Sequence, residues 1–211
     1  MADYFNHRIQ KFTSDGVFVK SWGSYGIKDG QLAYPQSIAI DHSGFVYVAH
    51  TLGIVKFTDD GTFVKNIFRQ IGGNSQPFGV AVDPAGEFLY STLFIQNRVA
   101  KFTTDGSFVK SWGSQGTGDG QFNNPVEISV DNSSFVYVTE FFNCRVQKFT
   151  SEGQFVTKFG SSGNADGQFS NPWGIDVDVL NHVYVSDFID NNIQVFAPVI
   201  KPPILFHLHS L

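Results

Sequence analysis

Cysteine is nearly absent: Cys144 is the only one in 211 residues. No disulfide can close within the chain, which excludes a cystine-stapled small fold and permits a reducing compartment. Charge is scarce too, at 16% of residues against roughly a quarter in an average protein. The 14 Lys and Arg lie almost singly in a chain of net charge -5. A phosphate backbone requires a concentrated positive surface, so nucleic acid is not an expected partner. No apolar run approaches the roughly 20 residues that cross a bilayer. The opening MADYFNHR carries no basic-then-apolar leader, so the expected location is cytoplasmic, with no membrane partner. Glycine (21) and phenylalanine (23) are abundant instead. That mixture suits short strands joined by tight turns and is too aromatic for disorder.

The stretch Lys101 to Pro125, KFTTDGSFVKSWGSQGTGDGQFNNP, recurs in edited form as strand, turn, strand and Gly-rich connection. Pro35, Pro77, Pro125 and Pro172 stand 42, 48 and 47 residues apart, and each precedes an aspartate by six: Asp41, Asp83, Asp131, Asp178. Phe12, Phe57, Phe102, Phe149 and Phe196 recur at 45, 45, 47 and 47. Two registers held together indicate one four-stranded unit per roughly 45 residues, the spacing of a propeller blade. The expected organisation is one domain over 1–211: a partial repeat 1–34, repeats 35–76, 77–124, 125–171 and 172–198, and a tail 199–211. In the tail, Pro202 and Pro203 argue against a central strand.

Strands such as FVYVA, Phe45 to Ala49, are apolar on both faces, which suits a sheet flanked by two neighbouring sheets. The expected fold is therefore all-β, a propeller of about four four-stranded antiparallel blades. If the ring closes, the hairpin Arg8 to Trp22 completes the blade begun by residues 173–186. If it does not, the blades form an open arc whose edges favour self-association.

Several motifs return in order: PFGVAVD (Pro77 to Asp83), PWGIDVD (Pro172 to Asp178), YVSD (Tyr184 to Asp187) and NHRIQ (Asn6 to Gln10). On these the chain resembles NHL-repeat proteins from Asn6 to Phe196. The Asp of the second element matches Asp3 and Asp187 but is replaced by His50, Leu93 and Glu140. The resemblance implies structural hydrogen-bonding roles for these polar positions and for Arg8, Arg98 and Arg145. It also implies a non-catalytic scaffold that binds a protein or peptide. The alternatives are a propeller enzyme of metal-dependent lyase or lactone hydrolase type, or a fragment of a larger protein with an RNA-binding or ubiquitin-ligase-associated role.

Candidate chemistry is thin. The four turn aspartates read as acceptors for backbone N–H groups in the turns they open, with a ring of carboxylates holding a cation as the rival reading. The histidines occupy unrelated blade positions, apart from His207 and His209 at i, i+2, and supply no convincing ligand set. Neither a metal nor another cofactor is expected. Cys144 lacks an identifiable acid or base partner. The Gly-rich connections end in no G-K-[ST] and enter no helix, so they read as crossovers between blades. The candidate binding surface is made of loops: Tyr25, Lys28 and Gln115 in the Gly-rich set, and Leu93, Phe94, Phe141, Phe142 and Phe188 in a second, apolar set.

Overall fold

The computed structural model describes residues 1–69 and 76–197. Most of the abbreviated loop before Pro77, and the tail with Pro202, Pro203, His207 and His209, lie outside the described residues. Proline opens four innermost strands, β4 (Pro35–Ile40), β8 (Pro77–Val82), β12 (Pro125–Val130) and β16 (Pro172–Val177). At the first strand position its missing N–H costs no ladder bond. Each strand runs into an aspartate whose Oδ1 organises the following turn. Asp41 accepts the N–H groups of Ser43 and Phe45 at 2.9 and 3.0 Å, and Asp131 those of Ser133 and Phe135 at 2.9 Å each.

Five antiparallel sheets result, of three or four strands each. Blade 1 is β1 (Ala2–Asp3), β2 (Arg8–Phe12) and β3 (Phe18–Trp22). Blade 2 adds β5 (Val46–His50), β6 (Gly53–Phe57) and β7 (Phe63–Arg69) to β4. Blade 3 adds β9 (Phe88–Leu93), β10 (Arg98–Thr103) and β11 (Phe108–Trp112) to β8. Blade 4 adds β13 (Val136–Glu140), β14 (Arg145–Phe149) and β15 (Phe155–Phe159) to β12. Blade 5 is β16, β17 (Val183–Asp187) and β18 (Asn192–Phe196). The expectation of about four four-stranded blades is thereby corrected. The N-terminal hairpin pairs with β1 and builds a blade of its own, so it does not complete blade 5.

Alternation puts one apolar face of each blade against the next. Tyr47 and Ile54 pack on Val80, Leu89 and Phe102; Tyr90, Val99 and Trp112 on Ile128, Val136 and Phe149; Tyr137 and Val146 on Ile175 and Val183; Ile9 on Val46 and Val48. Each such side chain, once fully buried, contributes roughly 1.5–3 kcal/mol relative to exposure. At the wide rim, Trp112 covers the turn of the following blade, where a Cβ on Gly153 would lie 2.5 Å from the indole.

The series has two free ends. Tyr184, Ile193 and Val195 on blade 5 are 39%, 66% and 56% exposed, although Tyr137 and Val146 in the matching places of blade 4 are buried. Phe12 on blade 1 is 38% exposed, whereas Phe57, Phe102 and Phe149 are buried. Among the described residues the four interfaces account for the core, and no fifth cluster joins blade 5 to blade 1. The blades form an open arc around a central channel.

Candidate active site

Strand alternation selects what faces the axis. Two residues beyond each opening proline stand Ser37, Gly79, Glu127 and Gly174, and two further on Ala39, Ala81, Ser129 and Asp176. All of them but Gly79 line a cavity of about 630 Å³, with Ser37, Ala81, Glu127, Ser129 and Asp176 on its wall. Ser37 of blade 2 donates its hydroxyl to Glu127 Oε1 of blade 4 at 2.9 Å, reaching past the intervening blade 3. Gly79 makes the room: a Cβ there would lie 2.6 Å from Glu127 Oε1. The wall is fixed by hydroxyls one strand out. Thr139 Oγ1 accepts the Glu127 N–H at 3.0 Å and donates to the Trp173 carbonyl at 2.8 Å. Thr92 Oγ1 accepts the Gly79 N–H at 2.8 Å and donates to the Val126 carbonyl at 2.6 Å.

Burial pushes the Glu127 carboxyl up to about 8, and the Asp176 charge adds to the shift. The N–H groups of Ile128 and Val80 and the Ser37 hydroxyl stabilise the anion and pull the other way without winning. Asp176 is exposed on the same cavity, with Ser129 Oγ 3.4 Å from its Oδ1. Two carboxyl groups in one cavity, one desolvated and one wet, are the arrangement that divides acid from base roles.

Both loop sets lie on the face where the innermost strands begin. Phe94, Phe141 and Phe188 donate their N–H groups to the carbonyls of Gln76, Asn124 and Asn171, just ahead of the opening prolines. Their rings converge on two residues that the sequence analysis did not single out. Phe94 stacks on Phe78 at 5.4 Å, Phe78 meets Trp173 at 5.3 Å, and Trp173 also meets Phe141 and Phe188 at 5.8 and 5.7 Å. Phe142 lies outside Phe141 and is 60% exposed. Leu93 is not part of this cluster; it is buried in the core between blades 2 and 3. Tyr25 joins a separate group, 4.8 Å from His7 and 6.2 Å from Tyr34. Lys28 and Gln115 are exposed loop residues.

The remaining candidates hold the frame. Glu140, fully buried, pairs with Arg145 and Gln147 and accepts the Asn123 N–H at 3.0 Å. Arg145 spends its other donors on the carbonyls of Thr117, Gly118 and Gln121. Arg8 pairs with Asp3 at 2.8 Å. Arg98 is exposed and stands opposite Leu93, which has no carboxylate to offer. Asp83 Oδ1 accepts the N–H groups of Glu87 and Phe88, and Asp178 those of Leu180 and His182.

Glu127 had a sequence signal that went unread. In PVEISV a charge occupies the place held by glycine in PFGVAV and PWGIDV. Trp173 and Phe78 were hidden because they fill the variable place between the proline and that glycine.

These features define a β-propeller with an acidic channel beneath an aromatic mouth. A family model described as NHL repeat matches residues 169–196 only. The protein brain tumor of Drosophila melanogaster is 36% identical over 93 residues, 42% of this chain and 9% of that protein. Solved structures align over far more of the chain. A streptogramin B lyase covers 95% of it, with a TM-score of 0.65 and 15% identity. A catalytically inactive virginiamycin B lyase from Staphylococcus aureus, solved with quinupristin, covers 93% at a TM-score of 0.64 and 19% identity. A putative phosphatase from Bacteroides thetaiotaomicron covers 90% at a TM-score of 0.67 and 17% identity. The chain spans 64% of the length of each lyase and 53% of the phosphatase.

Two expectations are thereby corrected. The NHL-type resemblance does not extend along the chain: the repeat signature is confined to one segment, and the fold as a whole is the propeller seen in the lyases. The expectation of a non-catalytic scaffold for protein binding is also corrected, since the similar folds include lyases and a putative phosphatase.

Proposed function

We propose that the chain is an enzyme whose acid–base chemistry runs in the central channel, with Glu127 as proton donor and Asp176 as proton acceptor. The placement of Glu127 carries the reading. It is a carboxyl at a repeat position held elsewhere by Ser or Gly, desolvated yet facing a cavity, with a hydroxyl on its Oε1. A carboxyl that titrates at about 8 is mostly protonated at neutral pH and is matched to giving a proton to a departing oxygen.

The pair suits an elimination. A C–H proton next to a carbonyl passes to Asp176, its electron pair forms a C=C bond, and the adjacent C–O bond breaks as Glu127 protonates the leaving oxygen. The lyase names of two similar folds favour this reaction over hydrolysis. No step is routed through a metal: among the described residues no three His, Cys, Asp or Glu side chains come together as ligands.

The test is turnover of quinupristin, followed by mass spectrometry and by ultraviolet absorbance of the new double bond. The expected rate falls above about pH 8, and Glu127→Gln lowers it by roughly 10²–10⁴-fold. Wild-type turnover by that variant sinks the reading. Hydrolysis of p-nitrophenyl phosphate without any elimination activity points instead to phosphatase-type chemistry.

A further inference from the structure

We infer that the cavity at the aromatic mouth is a subsite for an aromatic small molecule that bears no negative charge and carries an N–H donor. The cavity measures about 520 Å³ and is lined by Tyr4, Phe5, Phe78, Trp173, Phe188 and Gln36, among others. That volume falls in the range of small-molecule sites, roughly 300–1,000 Å³. No charged side chain among the described residues lines it, so an anion would lose its water without gaining a partner.

Rings are the common element of the wall. Trp173 meets Phe78 edge to face and Phe188 at a tilt, while Phe5 and Phe188 stay 81% and 65% exposed. An inserted ring continues the same offset and edge contacts, which favour aromatic over aliphatic occupants.

Gln36 sets the polar requirement. It lines both this cavity and the channel that contains Glu127. Its Oε1 is buried and has no hydrogen-bond partner among the described residues. A buried acceptor left unpaired is costly, and a turn of the Gln36 amide toward the cavity would let an N–H from the ligand satisfy it. The same ligand, anchored by its ring at the mouth, then extends past Gln36 toward Glu127. Only this last step rests on the enzymatic reading; binding at the mouth is separable from it.

The experiment is calorimetric titration of the wild-type chain and of Glu127→Gln with three probes. These are N-acetylphenylalanine amide, its fully N-methylated counterpart, and N-acetylalanine amide. The first is expected to bind wild type and Glu127→Gln equally, and more tightly than the other two. Gln36→Met is expected to weaken it about tenfold, the scale of one lost hydrogen bond, while leaving the N-methylated probe within about twofold. Phe5→Ala, at a site too exposed to affect folding, is expected to weaken both ring-bearing probes. Equal binding of the alanine and phenylalanine probes, or an unchanged affinity in Gln36→Met, overturns the subsite. If these affinities follow expectation but Glu127→Gln turns over normally, the subsite stands and the catalytic reading fails. If Glu127→Gln abolishes turnover but the probes do not discriminate, the subsite alone fails.

Discussion

Glu127, half-buried on the channel wall, and His50, buried, are titratable side chains whose pKa values desolvation moves in opposite directions, because one is charged when deprotonated and the other when protonated. His50 falls to about 4, chiefly through burial and then through the nearby Arg69 charge. Its neutral Nδ1 accepts the Ala33 N–H at 3.1 Å, the task that Glu140 performs for Asn123 and Asp187 for Ser170. A folded pKa below the unfolded value near 6.5 means that this contribution is complete above that pH. It is lost as pH falls through 4, on the order of 3 kcal/mol in all. Urea unfolding between pH 7 and 4 should show that loss in the wild type and a flatter profile in His50→Gln. Glu127 has the opposite sign. Its folded pKa of about 8 lies above the unfolded value, so its contribution is complete below about pH 4.5 and lost as pH rises through 8. Glu127→Gln should therefore gain stability over the wild type progressively across that window, in thermal melts run at pH 5, 7 and 9. A constant difference would mean that the carboxyl is not desolvated.

Strands and turns follow local chemistry closely, which is why much of the architecture was legible before any coordinates. The proline that opens each innermost strand and the aspartate six residues later mark its two ends, and both registers survive in the observed sheets. The all-β antiparallel propeller follows from them. Blade number did not, because β1 is two residues long, Ala2–Asp3, and falls below any periodic window. Its pairing with β2 turns the N-terminal hairpin into a fifth blade. The site was half legible. Phe94, Phe141 and Phe188 do meet, but through Trp173 and Phe78, whose convergence depends on the curvature of the arc. Leu93 goes inward because it fills a place taken elsewhere by a buried polar group, His50 or Glu140, and packs on the core instead. Two glycines, one in a rim turn and one in a connection between blades, offer a clean comparison. Gly153 and Gly120 both take positive φ, +77° and +75°, but a Cβ on Gly153 meets Trp112 at 2.5 Å while one on Gly120 meets nothing within 4 Å. Gly120→Ala should cost about 1 kcal/mol from backbone strain alone. Gly153→Ala should cost a further 1–3 kcal/mol or so from displacement of the indole. Equal melting temperatures for the two variants would contradict the packing of Trp112 on the next blade.

Assembly of the arc creates what no single blade contains. Glu127 belongs to blade 4, its hydroxyl partner to blade 2, the glycine that admits it to blade 3, and the second carboxylate to blade 5. The same assembly leaves Ile193 and Val195 of blade 5 in solvent although the equivalent face of blade 4 is covered. Replacing Ile193 by Thr should change stability by less than about 0.5 kcal/mol, as for an ordinary surface site. Val146→Thr, at the matching buried place, should cost about 1–3 kcal/mol through its buried hydroxyl. If copies associate through the free faces, Ile193→Thr should also reduce any concentration-dependent rise in mass seen by light scattering. The acidic channel itself is tested most directly by ¹³C NMR titration of the Glu127 side-chain carboxyl in the wild-type chain. A midpoint near pH 8 is predicted, since it requires the inner strands of several blades to close around the group. A midpoint in the ordinary carboxylate range near 4 would contradict both the desolvated channel and the role of Glu127 as a proton donor at neutral pH.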